Sequence, residues 1–315
     1  MELAAGAYPP FTRLVAREFD HFLPRVIVDY QFNDDLMGYV SWSKGVNVAL
    51  LSFNTNFLVL GSPEVLAAAD AIGLGVFIEP EEIENWEVGL KGSLFDDRVR
   101  GSLAIYRADW TEQQNSRSTF VVDGMGIPQI VTGVANTGRV VATGIELDLL
   151  AKPSDAVTVQ FSAAMNDSDI KSFEDPLITG LTGVVGDGFR GNNMPLAPKY
   201  SASLGLQYDG VLPIWDEASW FARADVSYKG KQYIDASNIN WINDRTQVNV
   251  RAGFTRGPIS VDAFVLNLFD NDDYVSAAQN SLLTPDFSLT AAGVGYINAA
   301  LPERRVVGLK VGYKF

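Results

Sequence analysis

Three features of the sequence have the residue types and spacing to do chemistry. Gly186-Asp187-Gly188-Phe189-Arg190-Gly191 carries the G-x-G-x-x-G spacing with which a glycine-rich turn admits a pyrophosphate. That use needs a strand before the motif and a helix after it. Here Pro195 and Pro198 follow, then another strand-like segment, so the run reads as a flexible loop. Asp270-Asn271-Asp272-Asp273 concentrates oxygen ligands that would suit Ca²⁺, but it lacks the central Gly and terminal Glu of an EF-hand loop and reads as a solvated loop start. His21, the only histidine, precedes the first strand and has no second imidazole with which to share a metal. The absence of Cys excludes thiolate metal sites, disulfides and cysteine catalysis. No Ser-His-Asp or paired-carboxylate arrangement is legible. The expectation is no catalytic residue, no metal site and no cofactor.

The remaining charged residues carry a different signal, because most of them recur at every second position opposite an apolar residue. Trp86, Val88, Leu90, Gly92 and Leu94 share one side of a strand, with Glu87, Gly89, Lys91 and Ser93 on the other. Val26, Val28, Tyr30 and Phe32 alternate with Arg25, Asp29 and Gln31, and Ile145, Leu147 and Leu149 with Gly144, Glu146 and Asp148. Similar segments cover 157–165, 200–208, 220–228, 246–254 and 307–315. A period of 2 with one greasy and one polar side is the signature of a half-solvated β-strand. Ten charged residues fall on the polar sides: Arg25, Asp29, Glu87, Lys91, Glu146, Asp148, Arg223, Asp225, Arg251 and Lys310. Three stretches break the phase, at 37–44, 107–110 and 259–269, where Phe264, Leu266 and Leu268 occupy what should be the polar side.

The strands are joined by connections of alternating length. Short turns fall at 33–35, 96–97, 152–155 and 256–258, and long loops at roughly 45–82, 113–139, 167–198, 233–243 and 270–303. All tight turns then lie at one end of the sheet and all long loops at the other, as in an outer-membrane barrel. Segments of roughly ten residues suit a tilted transmembrane strand, and aromatics gather near their ends, where interfacial girdles sit. A soluble antiparallel protein would use those aromatics to fill a core, which fits poorly with a charged face opposite nearly every apolar strip. The longest loop holds one helix signal, Ser62 to Gly73, with Ser62 as cap, Pro63 in the first turn and Gly73 at the exit. It is expected to pack its loop over the barrel mouth.

Composition limits the partners. Across 315 residues, 38 acidic against 24 basic side chains give a net charge of −14, without the basic excess needed to neutralise phosphates, so no nucleic-acid partner is expected. No apolar run is long enough for a membrane-spanning helix, and the Met1 end carries no recognisable signal peptide.

The order of motifs resembles the C-terminal half of a TonB-dependent outer-membrane receptor barrel. LPRVIVDYQFNDDLMGYVSWSKGV (23–46) resembles that family's strand, tight turn and strand, and ENWEVGLKGSLFDDRVRGSLAIYRADWTEQQ (84–114) its Glu-x-Gly-x-Lys hairpin and long aromatic strand. TGIELDLLAKPSD (143–155) resembles its Gly-x-Glu strand, NNMPLAPKYSASLGLQY (192–208) its Pro-x-x-Pro lead-in, and VLNLFDNDDY (265–274) its Asn-Leu-Phe-Asp motif. LPERRVVGLKVGYKF (301–315) resembles its last strand, with Leu309, Tyr313 and Phe315 in the place of the assembly signal read by the barrel-assembly machinery. Residues 46–54 depart from the Gly-rich stretch usual in the family.

The resemblance implies an all-β, antiparallel transmembrane β-barrel portion of about eleven strands, half of a ~22-stranded barrel, with long extracellular loops. It implies a truncated loop remnant at 1–22, a partial barrel domain at 23–315 and an absent plug domain. It further implies a cell outer membrane location in a Gram-negative bacterium, outer-membrane lipid around the barrel, and uptake of a scarce nutrient such as a ferric siderophore. The TonB complex would act through the parent's missing plug, and the ten charged residues would face the lumen. The alternative is a passive channel or a structural outer-membrane barrel.

Overall fold

The structure is a computed structural model, and it describes residues 18–48, 63–74, 78–122, 124–126, 128–212, 218–281 and 295–315. One antiparallel sheet dominates. Its eleven strands are β1 (Arg25–Asn33), β2 (Leu36–Asn47), β3 (Glu81–Leu94), β4 (Val99–Thr111), β7 (Gly138–Ser154), β8 (Val157–Phe173), β9 (Tyr200–Val211), β10 (Ala218–Lys229), β13 (Arg245–Arg256), β14 (Ile259–Leu266) and β17 (Val306–Tyr313), hydrogen-bonded in that order. Every neighbour in the sheet is the next or previous sheet strand along the chain, the simplest antiparallel meander. Helix α1 (Pro63–Ala71) lies in the loop between β2 and β3. The hairpin of β5 (Gln114–Val122) and β6 (Pro128–Asn136) rises between β4 and β7, and α2 (Pro176–Thr182) with a 3₁₀ turn at Gly186–Phe189 lies between β8 and β9. The short pair β11 (Gln232–Tyr233) and β12 (Trp241–Ile242) caps β10 and β13, and the hairpin of β15 (Ser276–Ser281) and β16 (Gly295–Ala300) caps β14 and β17.

Two of the three stretches with a broken sequence phase are regular in the backbone. β4 runs unbroken to Thr111, with Trp110 opposite both Ile83 and Val140, so 107–110 contains no bulge. There Arg139 forks onto Asp109 with Nε–Oδ1 at 2.8 Å and Nη2–Oδ2 at 2.5 Å. β2 pairs on both sides through 37–44.

Hydrophobic clusters with buried side chains occur among the long loops. Val65 and Ala69 of α1, with Ile72 and Leu74, pack on Val131 and Ala135 of β6. The helix therefore ties its own loop to the β5–β6 hairpin of the next one, and Arg117 of β5 closes its C-terminal end by donating to the Ile72 carbonyl at 2.8 Å. Ser62, the expected cap, lies outside the described residues, as do residues 1–17 of the expected loop remnant. A second cluster joins Val140, Ile170, Phe189 and Ala236, and a third Ile234, Ile242 and Ala277. The Gly186–Gly191 run is thus a packed 3₁₀ turn that seats Phe189, 1% exposed, in a core; it is neither a phosphate cradle nor a loose loop.

Candidate functional site

The strand register decides which side chains share a face. Asp29, Tyr39, Gly89, Ala104, Glu146 and Ala164 form one row across six strands. Gln31, Met37, Lys91, Ser102, Asp148, Ser162, Ser203, Ser227 and Gln247 form the row two residues further along. A third row runs Thr158, Gln207, Arg223, Arg251, Phe264 and Gly308. Followed through these ladders, all ten singled-out charges stand on the same face: Arg25, Asp29, Glu87, Lys91, Glu146, Asp148, Arg223, Asp225, Arg251 and Lys310. Five are cationic and five anionic, so the set is neutral and the chain's acidic excess is carried elsewhere, in turns and loops among other places.

Local pairing on this face is done largely by residues the sequence did not single out. Of the ten, only Arg223 and Asp225 form an ion pair with each other among the described residues, at 2.6 Å. Arg223 and Arg251 stand directly opposite one another, a repulsive placement. Arg223 turns to Asp225 and to Gln160 on β8 at 2.9 Å, while Arg251 lies 5.0 Å above the Phe221 ring and 3.9 Å from Asp262. Glu87 accepts the Tyr39 hydroxyl at 2.5 Å, and Lys91 lies 5.1 Å from the centre of that ring. Asp148 accepts from Ser162 at 2.6 Å.

Phe264 is explained by its neighbour. It stands opposite Gly308, where a Cβ would overlap its ring. Gly144 likewise admits the ring of Tyr106. Each aromatic lies flat across the next strand and covers backbone that a glycine leaves bare, so an apolar residue at a polar-face position costs little.

The opposite face is apolar and uncovered: Val28 65%, Val88 48%, Ile105 50%, Leu206 49%, Val307 73% and Leu309 68% exposed. Aromatic pairs border it. Trp42 and Trp86 lie 5.9 Å apart at the loop end, with both indole N–H groups donating to Glu84. Tyr208–Trp220, Tyr30–Phe32 and Tyr313–Phe315 lie at the tight-turn end, 5.2, 5.1 and 5.3 Å apart. Leu309 and Tyr313 alternate onto this same apolar face.

Side-chain amides tie the loops together. Asn192 donates to the carbonyls of Ala236 and Ser237, and Asn238 accepts from the Asn193 amide at 2.7 Å and donates back to its carbonyl, which locks the β8–β9 loop to the β10–β13 loop. The Asn-Leu-Phe-Asp run is a second knot. Asn267, with φ +50°, accepts from the Asn271 amide and donates to the carbonyls of Asn271 and Glu303. Asp270 accepts the Arg305 amide and the Arg304 guanidinium, each at 2.8 Å. The Arg305 amide holds the Asp270 carboxyl below its ordinary range, helped by the charges of Arg304 and Arg305. Asp272 also meets Arg304, at 3.2 Å, so this acidic run is engaged by arginine, and among the described residues no cluster of metal-ligating side chains is found.

Comparison with known proteins agrees with this geometry. The family model "TonB dependent receptor-like, beta-barrel" matches residues 4–268. The in-register pairing of β14 with β17 carries the same sheet beyond that point. A probable TonB-dependent siderophore receptor, PiuA of Acinetobacter baumannii, is 28% identical over 181 residues, 56% of this chain and 21% of that protein. Among solved structures, the ferric yersiniabactin uptake receptor FyuA from Yersinia pestis superimposes with a TM-score of 0.67 at 16% identity, over 93% of this chain and 37% of that one. The siderophore receptor PiuA from Acinetobacter baumannii gives 0.64 at 20% identity, over 92% and 35%. The chain thus spans about a fifth to somewhat over a third of the relatives it resembles. With the family model matched over most of its length, the chain belongs to the TonB-dependent receptor-like β-barrel family.

Proposed function

We propose that this chain forms part of the wall and loop crown of an outer-membrane receptor that takes up a ferric siderophore or similarly scarce nutrient, energised through TonB. The observation that carries the reading is the two-faced sheet. An uncovered apolar face running across eleven strands far exceeds the few hundred Å² a soluble monomer tolerates. Lipid is the solvent that accommodates it. On β10 the girdle residues Trp220 and Tyr228 are eight steps apart, about 27 Å along the strand and about 20 Å along the membrane normal at the usual tilt. That is close to the ~25 Å apolar band of outer-membrane barrels.

In this reading the ten charged residues face the lumen, where water and partner groups accept them. Among the described residues the edges of the sheet are β1 and β17, and they set a condition on whatever completes the wall. In an eleven-stranded meander the first and last strands run the same way, both toward the tight turns. Antiparallel closure therefore needs a complement whose two edge strands both run toward the loops, which means an odd number of strands and an even total. A second copy of this sheet would meet it with two parallel seams. We assign the complement to the remainder of a receptor of about 22 strands, with a plug through which TonB acts. Leu309, Tyr313 and Phe315 then present the last strand to the barrel-assembly machinery.

The test is iron-limited growth and uptake of radiolabelled ferric siderophores in cells with and without the gene. Uptake lost on deletion of either the gene or TonB supports the receptor. Ion conductance in planar bilayers, with solute uptake indifferent to TonB, would establish the passive channel instead.

A further inference from the structure

The loop crown divides into two packed bodies. The first joins the β2–β3 loop to the β5–β6 hairpin through the cluster of Val65, Ala69, Ile72 and Leu74 on Val131 and Ala135. Asn136 stitches the same two segments, accepting the Glu79 amide at 2.9 Å and donating to the Glu79 carbonyl at 2.8 Å. The second body joins the β8–β9, β10–β13 and β14–β17 loops. Its clusters form around Phe189 and Ile242, and the β10–β13 loop supplies Ala236 to one and Ile234 to the other. The Asn192 side chain and the Asn193–Asn238 pair fasten it further, as does the Leu196 amide, which donates to the Tyr233 carbonyl at 2.8 Å. Where the bodies meet, packing is incomplete. A cavity of about 320 Å³ is lined by Gln113 and Asn115 at the root of the first body and by Ile178, Met194, Ala236 and Ala278 of the second. α2 touches β5 at this seam, and Arg117 of β5 reaches across it, with Nη2 3.3 Å from Glu174 Oε2. The Arg117 side chain is 11% exposed, against 77% for Glu174, and its Nε has no acceptor among the described residues.

We infer that the crown opens along this seam: the two bodies part as rigid units, with Arg117–Glu174 as the latch. A packed cluster moves as a block, because its interior is close to crystal density. A gap, by contrast, forfeits the contacts that would hold its walls together, so the cavity marks the weakest plane in the crown. The latch is balanced between two states. Closed, it holds a nearly buried guanidinium with one N–H unsatisfied, and a buried ion pair offsets its desolvation only when the remaining groups are also met. Open, water reaches all five N–H groups and the ion pair is lost. Costs on both sides bring the states close enough in free energy for both to be populated. The β7–β8 ladder ends with Gly138 opposite Phe173, one residue before Glu174. The latch therefore stands directly above the last sheet pair, and its release breaks no ladder bond. The inference needs only the folded crown, so it stands or falls apart from any uptake activity.

The experiment measures distances between nitroxide pairs by pulsed electron spin resonance, with the protein extracted from its membrane in detergent. The chain has no Cys, so introduced thiols are the only ones labelled. Labels at Ala67 and Val185 span the seam. Ala67 with Val134 lies within the first body, and Val185 with Ile239 within the second. The expected result is one narrow distance distribution for each pair within a body and two components for the pair across the seam. The longer component should grow about threefold or more in Glu174→Gln, which keeps the side chain's shape and removes its charge. It should grow likewise in about 1 M salt, where an exposed charge is screened. A cross-seam distribution unmoved by both changes overturns the inference, as do within-body distances that spread as far as the cross-seam one. The salt measurement needs no substitution at the latch.

Discussion

The eleven-stranded sheet and the loop crown are built from the same chain by opposite rules. In the sheet the apolar side chains are exposed and the backbone ladder does the organising; Leu204 is 41% and Leu206 49% exposed. In the crown the apolar side chains are buried in compact clusters, as in a water-soluble domain: Val65, Ile170 and Phe189 are each 1% exposed. The difference follows from the solvent. Lipid tails leave no hydrophobic gain from pulling sheet residues inward, but they demand that every backbone group be paired. Water above the membrane tolerates irregular backbone and rewards apolar burial. One molecule therefore has two stability ledgers, and substitutions should separate them.

The largest separation is expected at Phe189. Replacing this ring with alanine removes it from Val140, Ile170, Ala236 and its edge-on partner Phe173 at 5.3 Å, at about 3–5 kcal/mol. The loss should be confined to the crown. Hydrogen exchange should rise in α2 and the β8–β9 loop of Phe189→Ala while β9 and β10 amides keep their protection. Equal deprotection of the sheet would mean that the two regions are one cooperative unit.

The sheet gives the converse at two adjacent residues. Leu204 and Ser203 are neighbours on β9 that point to opposite faces. Leu204→Arg places a charge in the apolar band and should cost about 2–4 kcal/mol of stability in liposomes. Ser203→Arg adds the same side chain to the polar face and should fall within about 0.5 kcal/mol. Denaturant unfolding followed by tryptophan emission measures both. Similar losses for the pair would remove the assignment of the two faces.

Much of the sheet was legible in the sequence because a period of 2 constrains every strand at once, and a register slip would turn its whole apolar set to the wrong face. The count of eleven and the separation of short and long connections both follow from that pattern. Little of the crown was legible. Its order comes from contacts between distant segments: Asn192 finds Ala236 and Ser237, and Arg117 finds Ile72. No local period announces such pairs, which is why the Gly186–Gly191 run read as a loose loop. On the polar face, charges were visible from spacing, whereas Tyr39 and Asp262 were not, since each lies in a stretch where the alternation breaks. Phe264 read as an exception for a related reason. Its explanation is Gly308, more than forty positions away and directly across the ladder.

That last pairing gives an intermediate effect within the sheet. Gly308→Val should destabilise by about 1–3 kcal/mol, because the new Cβ occupies the space of the Phe264 ring and forces it off its rotamer. The double substitution with Phe264→Ala should cost less than the sum of the two singles, a coupling readable in a double-mutant cycle. Additive losses would show that ring and glycine do not share that space.

The smallest expected effect lies where sheet and crown meet, at Asp270, and it is a pH dependence. The Arg305 amide, with the charges of Arg304 and Arg305, lowers the carboxyl's folded-state pKa below its ordinary value of about 3.9. A depressed pKa means that the unfolded state binds the proton first as pH falls. The contribution of the knot is therefore fully present above the ordinary carboxylate range and is lost only as pH drops through the lowered folded value. Near neutrality nothing should change, whereas on acidification the amides of Asn271 and Arg305 should lose exchange protection before the β14–β17 ladder does. Asp270→Asn keeps an oxygen for the Arg305 amide but removes the charge facing Arg304, so its protection at those amides should start lower and show no acid step. An acid step that persists in Asp270→Asn would overturn the assignment of that step to Asp270.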